Sequence, residues 1–216
     1  FTLYLTASLD PSYFANIAAP HFFYTPSTAG LSNCGLAALR EPGGFTQDKG
    51  RIAAWLKRFV ALNTFEISCP VLRDATLAPP GQTGLIVSML FDYALASHIR
   101  AMGWYDEFRE LMAAEMIAVL DASIYPGLQA AVTGQFTSTP LTIERYTGNT
   151  DGAITGWAFT NDSIPAVNQL IKVSSSVQTL VPDTYQVGQW TYSPSGLPIS
   201  ALTGKLAADR ILKDLK

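Results

Sequence analysis

Asp183–Lys216 reads DTYQVGQWTYSPSGLPISALTGKLAADRILKDLK, and the way these 34 residues break into segments decides the fold of the chain's end. Thr184 to Val187 alternates as a short strand, Gly188 stops it, Trp190 to Ser195 makes an aromatic loop, and Gly196 precedes a proline-initiated helix. Pro198 suits the first helical turn, where a missing N–H leaves no bond unmade. Gly196 puts no side chain in front of that turn, so the helix opens on free amides that can meet an anion or a carbonyl dipole. Such a cradle needs no catalytic side chain. A plain loop-to-helix junction explains the same residues.

Outward from this segment, the order of elements indicates an α+β chain. Phe1–Ser8 and His21–Tyr24 read as strands, with a short helix from Asp10-Pro11 through Tyr13 to Ile17 between them. Pro26–Gly50 reads as loop with a short strand near Leu36–Arg40. Lys49–Asn63 places Ile52, Trp55, Leu56, Phe59 and Val60 on one helical face. Phe65–Val71 and Gly84–Phe91 read as strands of a long-loop antiparallel pair. Helices follow at Asp92–Ala101 and at Trp104–Ser123, whose apolar stripe includes Met112 and Met116 as core filling. Tyr125-Pro126-Gly127 breaks the run before a short helix near Leu128, a strand at Ala131–Phe136, and a helix with Thr139 as N-cap and Pro140 at its first position. Gly148, Gly152 and Gly156 recur every fourth residue in Gly148–Thr160. That spacing suits either a surface loop or backbone passing close to a flat ligand, where any Cβ would collide. Ser174–Thr179 reads as a linker or edge strand.

Composition narrows the function classes. Hydrophobic residues make up 48% of the chain and charged residues 14%, against about a quarter charged in an average globular domain. That balance suits an apolar ligand or a surface covered by another domain. The net charge of −3 offers no basic face for nucleic acid. No run reaches the roughly 18 apolar residues of a spanning helix; the long uncharged stretch Ala122–Ile143 is broken by prolines and glycines. Cys34 and Cys69 are too few for a disulfide framework and fit a reducing compartment. His21 and His98 have no partners at metal-ligand spacing, so no metal site is expected. There is no G-x-S-x-G and no P-loop.

The motif G-Q-W-x-x-x-P-S-G-L-P-x-x-x-x-x-G-K-L-A-A-D resembles the C-terminal flavin segment of the phytoene desaturase and retinol saturase group of FAD-dependent oxidoreductases, within the amine-oxidase-like flavoproteins. Those proteins carry G-Q-W or a variant, then G-G-[IV]-P and a helix with S-G-[RK]-x-A-A. Three further segments are similar in the same order: FTLYLTASLDPSYF with HFFY, Phe65–Pro80 (FEISCPVLRDATLAPP), and Thr139–Trp157 (TPLTIERYTGNTDGAITGW). Ser195 and Leu197 depart from the usual glycine and Ile or Val.

The resemblance implies a substrate-binding domain over 1–147, with a mixed, largely antiparallel sheet and flanking helices. It implies a return to an FAD-binding domain over 148–216. The cofactor is FAD, met by Gly188, Gln189, Trp190, Gly196, Leu197, Pro198 and Ile199, with the amides of Leu197 and Ile199 toward the flavin ring. A helix N-terminus there stabilises reduced flavin by about 0.3–1 kcal/mol. Gly204 and Ala208 give the last helix a small face for a nucleotide-binding sheet. Tyr146, Gly152, Gly156 and Trp157 are the substrate-side candidates. Glu144, Arg145 and Asp151 lie nearby, and no side chain is assigned as catalytic acid or base.

The family's G-x-G-x-x-G unit is missing from the 216 residues. The chain is therefore expected to be the C-terminal part of a longer flavoprotein, inactive and without retained FAD by itself, whose partner is the absent N-terminal FAD-binding segment. The implied substrate is an apolar polyene or isoprenoid, the implied location cytoplasmic, and an apolar substrate makes peripheral membrane contact reasonable. Two readings stand beside this one: a non-catalytic partner subunit, and an apolar-ligand-binding module.

Overall fold

The computed structural model describes residues 1–157, 164 and 166–215. These form two compact units, Phe1–Thr142 and Ile143–Lys216.

The first unit is a five-stranded antiparallel sheet backed by helices. In chain order its elements are β1 (Thr2–Ala7), α1 (Pro11–Ala15), β2 (His21–Tyr24), the two-residue strands β3 (Arg40–Glu41) and β4 (Gly44–Phe45), α2 (Lys49–Leu62), β5 (Phe65–Ser68), β6 (Thr83–Ser88), α3 (Tyr93–Ala101), α4 (Tyr105–Asp121), α5 (Leu128–Ala131) and β7 (Val132–Ser138). The sheet order is β2-β5-β6-β1-β7. β1 is an inner strand, flanked by β6 and the edge strand β7. It pairs Tyr4 with Ile86 of β6 on one side and with Phe136 of β7 on the other. Leu3, Leu5, Val87 and Ile67 are buried on one face, as a period of two requires. Against that face pack Ile52 and Leu56 of α2, Leu95 and Ile99 of α3, and Phe108, Met112 and Met116 of α4. The two methionines are fully buried core residues.

Helix starts follow the side chains that precede them. Asp10, Asp48 and Asp92 each accept a backbone N–H at 2.7–3.0 Å and cap α1, α2 and α3. Each such cap satisfies one orphan amide, worth about 1 kcal/mol. Buried Thr139 accepts from Leu141 N at 3.1 Å and opens α6 (Pro140–Thr147). Gly103 and Gly127, with φ of 67° and 90°, allow the turns before α4 and α5.

Four expected strands differ from those observed. Leu36–Leu39 is a 3-10 turn followed by the β3–β4 hairpin. Side chains of α2 take two carbonyls here, Ala38 O accepting from Arg51 and Gly35 O, just before the turn, from Trp55 Nε1 at 3.2 Å. Phe65–Val71 ends as a strand at Ser68, because Pro70, which has no N–H, begins a 3-10 turn. Gly84–Phe91 is regular only over Thr83–Ser88; Phe91 turns its ring onto Phe1, Phe59 and Phe108. The β5–β6 pair itself is antiparallel as expected, matching Ile67 with Val87.

The fourth difference lies in the second unit. Thr184–Val187 is not a strand: Tyr185 makes a single bridge to Gln178. The segment is closed on both sides by turns, with Asp183 at φ 57° and Gly188 at φ 96°, so no ladder extends. Of Ser174–Thr179, Ser174 and Ser175 end a 3-10 turn over Leu170–Ser175 and Gln178 supplies the single bridge to Tyr185, so no regular strand forms there. The unit ends in α7 (Leu197–Asp214), which buries only Thr203 and Ala207. Its helix starts one residue ahead of Pro198, which therefore occupies the second helical position. The end of the glycine-rich stretch Gly148–Thr160, from Ala158 on, lies outside the described residues.

Candidate functional site

Two surfaces carry the candidate chemistry, one in each unit. The first is the start of α7. Gly196 is its N-cap, in extended backbone conformation and with no side-chain cap bond, and Leu197 behind it is exposed. The amides of Leu197 and Ile199 belong to the first turn, where no intrahelical acceptor exists. A Cβ at Gly196 would meet nothing closer than Pro198 Cδ at 3.9 Å. Ser195, just before the cap, has a buried Oγ with no hydrogen-bond partner. An orphaned hydroxyl beside an uncapped helix start fits a polar group of a bound flavin.

The remaining cofactor candidates are held by the chain itself. Gly188 N donates to Thr203 Oγ1 at 3.1 Å, and Thr203 Oγ1 donates on to Ser200 O. Gly188 is thus fastened to α7 and its amide is already used. Trp190 O accepts from Trp157 Nε1 at 2.9 Å, and the two indoles meet edge to face with centroids 5.4 Å apart. Gly156 lies against the Gln189 carbonyl so closely that a Cβ would sit 2.2 Å from its oxygen. The substrate-side candidates Gly156 and Trp157 are therefore brought to Gln189 and Trp190, and the close approach at Gly156 is to the chain's own backbone. Gly148, Gly152 and Gly156 all have positive φ, which by itself calls for glycine.

Gly152 is buried in the 3-10 turn Thr150–Gly152, and Tyr146 projects from α6 with 81% exposure. Neither is joined to the Trp157–Trp190 pair by a hydrogen bond among the described residues. Gly204 has open space where a Cβ would be, and Ala208 is exposed. Near the other end of α7, Tyr185 Oη donates to Asp214 Oδ2 at 2.7 Å, and Arg210 Nε donates to the same oxygen at 2.8 Å. The tyrosine bond, then the arginine, hold the Asp214 carboxyl below the usual range. A cleft of about 670 Å³ in this unit is lined by Val167, Ser176, Gln178, Leu180, Gln186 and Thr191 among others, and includes none of the cofactor candidates.

The second surface is the face of the five-stranded sheet opposite the helices. Register puts Phe136, Tyr4, Ile86, Ser68 and His21 in one row across all five strands, and Ser138, Thr2, Ser88, Glu66 and Phe23 in the next. Tyr4 and Phe136 stack with centroids 4.5 Å apart and planes 7° from parallel. Phe136 and Phe23, near opposite sides of this face, are 64% and 69% exposed, and the helices of this unit pack on the other face. Its hydroxyls largely satisfy each other: Thr2 Oγ1 with Ser88 Oγ and Thr6 Oγ1 with Thr133 Oγ1, both at 3.0 Å. The result is a surface of rings, small residues and paired hydroxyls, with the His21–Glu66 pair at its β2–β5 side. Tyr4, Phe136, Phe23 and Ile86 are not among the sequence candidates. The alternation of β1 assigns Tyr4 to the face away from Leu3 and Leu5, but only the packed structure shows that this face is open.

Among the described residues, no group of three or more His, Cys, Asp or Glu could hold a metal ion, and no helix is long and apolar enough to cross a membrane.

No protein-family model matches the chain. The chain is 26% identical over 164 residues, 74% of its length, to the chloroplastic prolycopene isomerase of Daucus carota. At that identity the relation is a distant one. The alignment covers 25% of the isomerase, so the chain spans about a quarter of that relative's length.

Proposed function

We propose that this chain is part of an FAD-dependent oxidoreductase or isomerase acting on an elongated, flat, apolar polyene, in the manner of its distant relative named for prolycopene. The observation that carries the reading is the open sheet face. A polyene is a rigid planar hydrocarbon, and a sheet face with the Tyr4–Phe136 stack at one side offers it apolar and aromatic contact. The low charge content of the chain supports the same reading.

In this proposal the flavin edge is met by the start of α7. The amides of Leu197 and Ile199 and the partnerless Ser195 Oγ would hold its polar atoms, while Gln189 and Trp190, pinned by Gly156 and Trp157, fix the approach to the helix. Flavin, when bound, supplies the redox chemistry; the protein positions the polyene and excludes water. The rest of the flavin site belongs to a segment carrying G-x-G-x-x-G.

The test is a titration of the purified chain with a polyene hydrocarbon and, separately, with FAD. The proposal expects polyene binding that a Tyr4→Ser, Phe136→Ser double variant weakens at least tenfold, and FAD binding weaker than micromolar. Unchanged polyene affinity in the double variant would refute the sheet-face assignment. Tight FAD binding with a perturbed flavin spectrum would refute the divided flavin site. Polyene binding by a chain that acquires no flavin from any G-x-G-x-x-G partner would favour an apolar-ligand module instead.

A further inference from the structure

The open sheet face is not uniform from one side to the other. Its two rows contain ten side chains, and only two of them, His21 and Glu66, carry an imidazole or a carboxylate. Both sit at the β2–β5 side, His21 four strand spacings and Glu66 three from Phe136. At about 4.8 Å per spacing, His21 is roughly 19 Å from the aromatic stack. Glu66 is the diagonal neighbour of His21 across the β2–β5 ladder, within reach of long side chains.

His21 Nε2 lies 2.9 Å from Glu66 Oε1. The ionised carboxylate only accepts, so in the neutral ring Nε2 carries the proton and Nδ1 is left as an acceptor. Nδ1 makes no hydrogen bond among the described residues. The ring is further fixed by Phe23, which meets it edge to face at 5.8 Å. The histidine and carboxylate side chains remain 37% and 50% exposed, so a ligand on this face can reach them. A solvated ion pair of this kind adds little to stability. A fixed imidazole with a vacant acceptor, on a face that is otherwise uncharged, is suited to receive one hydroxyl.

We infer that His21, oriented by Glu66, is a specificity site for an oxygen-bearing end group, so that the face takes an elongated apolar ligand with a hydroxyl at one end and its hydrocarbon body extended toward Tyr4 and Phe136. This rests on the sheet face being the substrate surface. His21 contacts the ligand; Glu66 is a positioning residue that fixes the ring and its tautomer.

The experiment titrates the 216-residue chain with all-trans-retinol and with the matched polyene hydrocarbon lacking the hydroxyl, read by ligand fluorescence. The unmodified chain should prefer retinol by roughly three- to tenfold, the value of one net hydrogen bond. His21→Phe keeps the aromatic surface and removes the acceptor, and should erase the preference while hydrocarbon affinity stays the same. Glu66→Ala should reduce the preference without touching hydrocarbon binding. A preference that survives His21→Phe, or an equal loss for both ligands, overturns the assignment of His21 alone. If neither ligand binds, or if Tyr4→Ser, Phe136→Ser leaves hydrocarbon affinity unchanged, the substrate-face reading fails and this site with it.

Discussion

Replacing Gly156 by alanine separates two explanations for the glycine spacing of Gly148, Gly152 and Gly156. Gly156 has φ +81°, and an added Cβ would lie 2.2 Å from Gln189 O and 3.0 Å from Gln189 C. Both are backbone atoms, so no rotamer change relieves the contact. Adopting the left-handed conformation costs an L-residue about 1–2 kcal/mol. Moving the Gln189–Trp190 backbone away also strains the Trp157 Nε1 to Trp190 O bond and the edge-to-face indole pair. Each is worth about 0.5–1.5 kcal/mol, and partial exposure of both indoles argues for the lower end. The expected local destabilisation is therefore roughly 2–4 kcal/mol.

Gly148→Ala is the control: it has a similar φ, +70°, and nothing within 4 Å of its Cβ, so it bears only the conformational cost of about 1–2 kcal/mol. Hydrogen exchange of peptides covering residues 152–157 and 188–193 reads the difference directly as a local opening energy. Relative to the control, Gly156→Ala should speed exchange in both peptides by roughly five- to thirtyfold, corresponding to about 1–2 kcal/mol. Equal protection in the two variants would refute the account of Gly156 as a backbone packing position.

Two further outcomes concern the first unit. Phe108 is fully buried against Phe1 and Phe91, so Phe108→Ala should cost about 3–5 kcal/mol in chemical denaturation, and a loss below about 1 kcal/mol would show that the α4–sheet core is not packed as described. Burial pushes the Cys69 thiol from 9.0 up to about 11 and raises the Tyr125 phenol as well. A raised acid pKa means that the folded state holds its proton more tightly than the unfolded chain does. The contribution of these two groups to stability should therefore be flat below pH 9 and fall as pH rises from about 9 toward 11. Thermal melts from pH 8 to 10.5 check this; Cys69→Ala should flatten part of the slope, and a Tm that does not change over that range would contradict it.

Local chemistry was legible wherever one residue sufficed to dictate it. Thr139 announced its helix because a cap acts within three residues, and the period of Ile52, Trp55, Leu56 and Val60 gave the buried face of α2. Leu36–Arg40 and Thr184–Val187 misled because a strand exists only if another strand receives its hydrogen bonds. In the first case Trp55 and Arg51 took the carbonyls; in the second, turns left Tyr185 a single bridge. The candidate cofactor residues were recognisable as a linear motif, yet the fastening of Gly188 to Thr203 and of Trp190 to Trp157 was not, since it joins residues 15 and 33 positions apart.

By itself the sequence determined the fold class, the antiparallel β5–β6 pair, the uncapped glycine start of α7 and the distant relation to a prolycopene isomerase. These depend on period, on caps and on residue order along the chain. The tertiary structure alone decided which face of the sheet is left open, that Tyr4 stacks on Phe136, and that His21 and Glu66 share that surface. Such facts arise from pairing between strands as far apart in sequence as β1 and β7, and from helices claiming one side of the sheet. No local pattern encodes which side they claim.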